Sequence, residues 1–423
     1  MLSPIKIGGR STLFLVFMAL FVPTSYVQIK ASFLVLSCSI ALIGLLQNRL
    51  FLNKESFYSV FVITTIALLY SLWGVYNSAA GAIRVLTVYY IWPWVYLLLS
   101  IYLTSEQALE SLFKIMVLAL IFVVFYSFLY LGYEAGIVPS FLYFELDQGQ
   151  KIGFYSGYVE YDLYSISSLL FLVPLAIHYF YLKIKIHDSK NIFSWVLLIL
   201  LSLLLVLLTG RRAVLLIFML MPFLMLSSSI ILGGIKNITL KMRQLYTSPL
   251  SYLLVSIIFV VSFMLLNKTG ISLEKVWLMF SDGFNFESGK STSERTLQFH
   301  SLINTWLNGS VLFGAGNGSA TDVVRSVEFS WAYELTYVYL LFSTGIVGVL
   351  FYCAWFGYGL LRLRIVLQKR PDLKIYVLPM VTGVFGLALG AASNPYFGKF
   401  DYLWIIMLPH LLAGGLQYQR RAV

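Results

Sequence analysis

Apolar runs of about membrane length alternate with short polar breaks along almost the whole chain. Runs long enough to cross a ~30 Å hydrocarbon layer fall at about 12–28, 32–46, 57–76, 83–103, 112–132, 162–182, 192–209, 213–232, 249–266, 333–361, 375–392 and 402–418. The pattern therefore predicts an all-α, polytopic integral membrane protein of about 12 spans, residues 1–423 forming a single membrane domain. Two polar stretches are too long to be turns: 133–161, and 267–332 between the ninth and tenth spans. The second contains a helix signal. Ser293 is placed to cap a segment from Glu294 to about Leu307, and Arg295, Phe299, Leu302 and Trp306 recur at helical spacing along one amphipathic face.

Composition narrows the class. The 423 residues are 60% hydrophobic and 11% charged, with a mean hydropathy of +0.86, which excludes a soluble globular domain. The net charge of +11 is spread among the breaks between spans and forms no basic domain, so nucleic acid is not expected as a partner. Both cysteines, Cys38 and Cys353, lie inside apolar runs and offer neither a disulfide framework nor a thiolate metal site. Lys6 and Arg10 precede the first run, and no small-residue cleavage site follows it, so this run is expected to remain as the first span. With both termini cytosolic, more than half of the 29 Lys and Arg fall on the inside, in agreement with the positive-inside rule.

One break violates that rule. The 41 residues 192–232 are too long for one span and are expected to fold as two, bent at Thr209 and Gly210. Parity places the bend, with Arg211 and Arg212, at the outer face. These arginines either snorkel from a helix end or bind an anion there. Arginine suits phosphate because its planar fork donates several hydrogen bonds and keeps its charge. Arg295 belongs with the pair as a second outer site, and Arg84 and Lys151 are weaker additions. Phosphate outside a membrane is normally carried by a lipid, which makes a lipid diphosphate sugar a sensible donor. Transfer from it needs cations for the departing diphosphate and a base for the acceptor hydroxyl. Glu334, at the start of the tenth span, is either that base or the ion-pair partner of Arg325 or Arg295. His300 and Glu160 are secondary candidates, and His178 and His410 lie deep in spans as structural groups. Glu145 with Asp147, and Glu160 with Asp162, could hold a divalent ion, but the arginines already supply positive charge, so no metal and no cofactor is expected. "GAGNGS" lacks the strand and the lysine of a phosphate-cradling loop and is expected to be a flexible turn.

Four stretches, "LLTGRRAVLL", "KIGFYSGYVEYD", "ERTLQFHSLINTWLNGSVLFGAGNG" and "YELTYVYLLFSTGIVGVLFY", together resemble the O-antigen polymerase and ligase superfamily of membrane glycosyltransferases across about 150–360. The resemblance implies a GT-C-like multi-span fold in the bacterial inner membrane with a periplasmic active site. It implies an undecaprenyl diphosphate-linked oligosaccharide as both donor and acceptor, and a chain-length-regulating co-polymerase as a further partner beside membrane lipids. The family's diphosphate ligands fall on Arg211 or Arg212 and on Arg295. Ligases of the superfamily carry histidine and asparagine where this chain has Glu334 and Leu335, which favours a polymerase with Glu334 as base. The alternatives are a ligase that transfers glycan to a lipid A core and a flippase or transporter. A transporter would show matched halves and midplane charges, which this pattern lacks.

Overall fold

The computed structural model describes residues 4–134, 136–146, 151–155, 158–186, 192–209, 212–233, 290–326 and 328–418. Among them, nine helices are long and apolar enough to cross a membrane, so the chain is a polytopic, predominantly helical membrane protein. The expected ninth span, 249–266, lies outside the described residues, as does most of the 267–332 stretch before its helix.

Helices α1 (Pro4–Phe21) and α2 (Val27–Leu46) form the first antiparallel pair. The first helix begins and ends earlier than the expected 12–28. Proline is well placed in a first turn, as at Pro4, whereas Pro23 disfavours helical backbone in the residue before it and stops the run. Helix α3 (Lys54–Tyr76) starts where Asn53 accepts hydrogen bonds from the Glu55 and Ser56 amides. The fourth span is one helix with a change of register: α4 (Ala82–Leu86) passes through a π-helical turn, Thr87–Ile91, into α5 (Trp92–Ser100). Pro93 explains this turn, because it has no amide for the Tyr89 carbonyl and its ring crowds that oxygen. Helix α6 (Glu106–Glu134) follows.

The helical architecture expected of the chain carries one addition. Lys151–Tyr155 (β1) and Tyr158–Asp162 (β2) pair antiparallel, with Lys151 opposite Asp162 and Gly153 opposite Glu160. Apolar and polar residues alternate on both sides of Ser156 and Gly157, which is a hairpin signal, and a two-residue period cannot be satisfied by a helix. The second strand packs on α8 (Ile192–Thr209). Helices α7 (Leu169–Lys185), α8 and α9 (Arg212–Gly233) follow in order. Helix α8 is described to Thr209 and α9 from Arg212, so the bend expected at Thr209 and Gly210 reaches outside the described residues.

Four helices complete the described chain: α10 (Lys290–Asn308), α11 (Thr336–Lys369), α12 (Lys374–Gly390) and α13 (Phe400–Tyr418). Helix α12 lies tightly along α7, since Gly383 and Gly386 leave no room for a side chain there: an added Cβ would come within 2.6 Å of the Phe171 carbonyl oxygen or 2.4 Å of that of Leu170. Small residues are what allow helices to approach this closely in lipid. His178 is buried in this layer, its Nδ1 2.6 Å from Thr382 Oγ1, which lies 2.8 Å from Ser228 Oγ. His410 on α13 likewise bonds Ser59 at 2.6 Å and stacks on the Trp355 ring at 4.0 Å. Both histidines tie helices together. A buried ion pair, Lys30 with Asp401 at 2.8 Å, fastens α2 to the start of α13.

Candidate functional site

The site is built around a break in α11. Gly345 has φ +64 and ψ −174, outside helical geometry, in the middle of an apolar span. Such a break frees backbone carbonyls and amides, which lipid cannot satisfy. The segment after α10 pairs two of each. Ala315 N donates to Phe342 O (2.9 Å) and Gly316 N to Ser343 O (2.8 Å), while Ile346 N and Val347 N donate to Val311 O and Leu312 O (3.2 and 3.1 Å). The segment is also bonded to α3: Asn317 N donates to Tyr70 O (2.9 Å), Trp73 Nε1 to Gly314 O (3.0 Å) and Asn77 Nδ2 to Ala315 O (3.0 Å).

"GAGNGS" is therefore not a flexible turn. It is a wedge between α3 and α11, bonded to both by backbone groups. Glycine is required at Gly316, where φ is +94 and a Cβ would lie 2.4 Å from Gly74 Cα. The same requirement holds at Gly345, where a Cβ would meet the Leu312 carbonyl oxygen at 2.2 Å.

The wedge seats α10 against the first turns of α11. Leu302 packs with Tyr333 and Phe342, flanked by Trp306, Val338 and Tyr339. Ser301 Oγ donates to Thr321 Oγ1 (2.8 Å), and the Thr321 amide donates to the Tyr333 hydroxyl (2.7 Å). The helix begins a turn before the expected start, so Ser293 lies within it and does not cap it. Of the expected face, Leu302 is buried and Arg295 and Trp306 are half-buried, whereas Phe299 is exposed and set edge-on to His300. Gln298, three residues after Arg295 and four before Leu302, is buried, 3% exposed.

At the end of this stripe Arg295 Nε donates to Glu334 Oε2 at 2.5 Å, and Arg325 Nη1 reaches Glu334 Oε1 at 2.9 Å. The carboxylate is 13% exposed, Arg295 34% and Arg325 52%. Two guanidiniums thus converge on one carboxylate, leaving a positive excess at a solvent-reachable edge. Sequence reasoning left Glu334 open between base and ion-pair partner; in the structure it is paired, and with both arginines together. Arg84 lies in α4 with its guanidinium 4.8 Å from the Phe329 ring centre, and Phe329 is itself edge-on to Trp331, which packs on Gly81. This holds Arg84 to the same 326–332 segment that leads into Glu334. His300 is exposed on α10 beside Phe299, off the face that carries Arg295.

The other expected site residues are placed less fully. Arg211 lies outside the described residues, and Arg212 is placed by its backbone alone, as the first residue of α9. Lys151 and Glu160 are placed by backbone register on the hairpin, two positions apart across the ladder. Among the described residues no three His, Cys, Asp or Glu gather in a group suited to a metal ion. Sequence reasoning missed Gln298 and the wedge. The loop 391–399 was missed too: its Asn394 carbonyl accepts from Thr336 Oγ1 at 3.0 Å, two residues beyond Glu334. No known family model, curated protein or solved structure matches the chain.

Proposed function

We propose that the chain is a membrane glycosyltransferase that extends a surface polysaccharide, with undecaprenyl diphosphate-linked glycan as donor and a lipid-linked repeat unit as acceptor, at the non-cytosolic face of a bacterial inner membrane. The observation that carries this reading is the meeting of Arg295 and Arg325 on Glu334 where an amphipathic helix joins a broken span. Diphosphate presents more negative oxygens than one carboxylate, so it competes for both forks. Its arrival frees Glu334 beside the reacting sugar. An acceptor hydroxyl then attacks the anomeric carbon, its proton passes to Glu334, and the bond to the diphosphate oxygen breaks, releasing the carrier lipid with its charge held by arginine. Arg84, Arg211, Arg212 and Lys151 are assigned to the same anion or to the second lipid. Glu160 and His300 are secondary. No step requires a metal or a cofactor.

The test is the product that accumulates in cells carrying Arg295→Ala or Arg211→Ala. A polymerase leaves single repeat units on the surface lipid. Long glycan retained on the carrier would indicate a ligase, and loss of repeat-unit transport a flippase; either result overturns the assignment.

A further inference from the structure

The apolar surface of α10 does not end at the residues that pack on α11. Phe299, Ile303, Trp306 and Leu307 follow one another at helical spacing along a neighbouring flank, where Phe299 and Leu307 are exposed and the other two half-buried. Glu294, Asn304 and Asn308 are exposed on the opposite side, with Leu297 the one large apolar side chain exposed among them. Beyond the helix the wedge continues the flank: Trp306 Nε1 donates to the Val311 carbonyl at 3.0 Å, and Leu312 and Phe313 are exposed. Two helices fix the depth of the wedge. Arg362 is the first charge in α11, and one ~30 Å crossing counted back from it, about 20 residues, reaches Phe342. Val347 N, which donates to Leu312 O at 3.1 Å, lies about five residues or ~7 Å inside that boundary. On α3 the same count of about 20 residues from Lys54 reaches Gly74, and Tyr70, whose carbonyl accepts from Asn317 N, lies about four residues or ~6 Å inside. Interfacial helices sink their apolar side to about this depth, ~5–10 Å. The side chains exposed at this level on the two helices, Leu69 and Leu72 of α3 and Ile346 and Leu350 of α11, are apolar as well. We infer that this flank of α10, with Leu312 and Phe313, is sunk in the membrane leaflet at the Glu334 end of α11, and that its partner is lipid hydrocarbon. Helix α10 is then an interfacial helix, and the wedge that follows it belongs to the membrane domain and not to a polar loop. Because Phe299 follows Arg295 by one turn, the leaflet also borders the Arg295–Glu334 pair, and a phosphate carried on a lipid reaches that pair from the side. This lipid contact is independent of the activity proposed above.

Depth is measured with spin labels on single cysteines, in full-length protein held in lipid nanodiscs with Cys38 and Cys353 replaced by serine. Labels at Leu307→Cys and Phe313→Cys are expected to be relaxed more by oxygen, which concentrates in hydrocarbon, than by a water-soluble nickel chelate. A label at Asn304→Cys is expected to show the reverse order. Relaxation of either flank label mainly by the chelate puts the flank in water and overturns the inference. Shielding of either from both agents shows protein packed over the flank, a second copy or another chain, and overturns it equally. An Asn304 label relaxed mainly by oxygen would submerge the whole helix and contradict its place at the interface. All three positions are exposed, so each variant is expected to keep the wild-type Tm. Should either flank variant lose it, Phe299→Cys takes its place under the same criteria.

Discussion

Replacing Glu334 with glutamine separates its two roles, because glutamine keeps the shape and one acceptor oxygen but loses the charge and the capacity to take a proton. The structural cost follows from the geometry. Hydrogen bonds to charged groups contribute about 1.5–3 kcal/mol when shielded. Here Arg295 is 34% exposed and Arg325 52% exposed, so the second pair falls toward the surface range of about 0–1 kcal/mol. Glutamine still accepts from Arg295, so the expected loss is about 1–2 kcal/mol, below the ~3–5 kcal/mol of a fully buried pair broken on one side. The chemical cost is larger: loss of a general base lowers a rate by about 10²–10⁴-fold. Glu334→Gln should therefore melt only a few degrees below wild type in detergent and yet extend chains at least about a hundredfold more slowly. The paired exchange Arg295→Glu with Glu334→Arg sharpens the contrast, because it can restore the ion pair without restoring the base. Chain extension within tenfold of wild type in either variant would reduce Glu334 to a clasp that holds the loop on α11.

Other expectations concern the frame around the site. Gly316→Ala forces a side chain into the backbone of α3 at a positive φ and should destabilise the fold by more than about 3 kcal/mol, seen as loss of monodisperse protein on size exclusion, whereas Gly357→Ala, which meets nothing within 4 Å, should melt at or above the wild-type temperature. Asp401→Asn removes the carboxylate that pairs with the buried Lys30 and should cost about 3–5 kcal/mol in thermal unfolding, with Lys30→Met in the same chain recovering most of it. Chain extension by purified protein should persist after exhaustive chelation; a requirement for a divalent ion would direct attention to Glu145, Asp147, Glu160 and Asp162.

What the sequence made legible and what it hid differ in range. Spans were legible because twenty apolar residues in a row have few other uses. Helix α10 was legible because its spacing repeats within nineteen residues. The hairpin carried a local signal too, the alternation on both sides of Ser156 and Gly157, which its setting between spans obscured. The wedge carried none. Three glycines in "GAGNG" suggest mobility when read alone; they become rigid only because Gly74 and Gly345 let two helices accept them, at separations of about 240 and 30 residues. Gln298 was hidden for a related reason: a glutamine on an amphipathic helix normally faces water, and here it is buried.

The most direct measurement of the central claim is a density map of the protein with undecaprenyl diphosphate bound. The account predicts phosphate oxygens within ~3 Å of the guanidinium groups of Arg295 and Arg325, with Glu334 released from at least one of them. Diphosphate density elsewhere, over an intact Arg295–Glu334–Arg325 cluster, would contradict it.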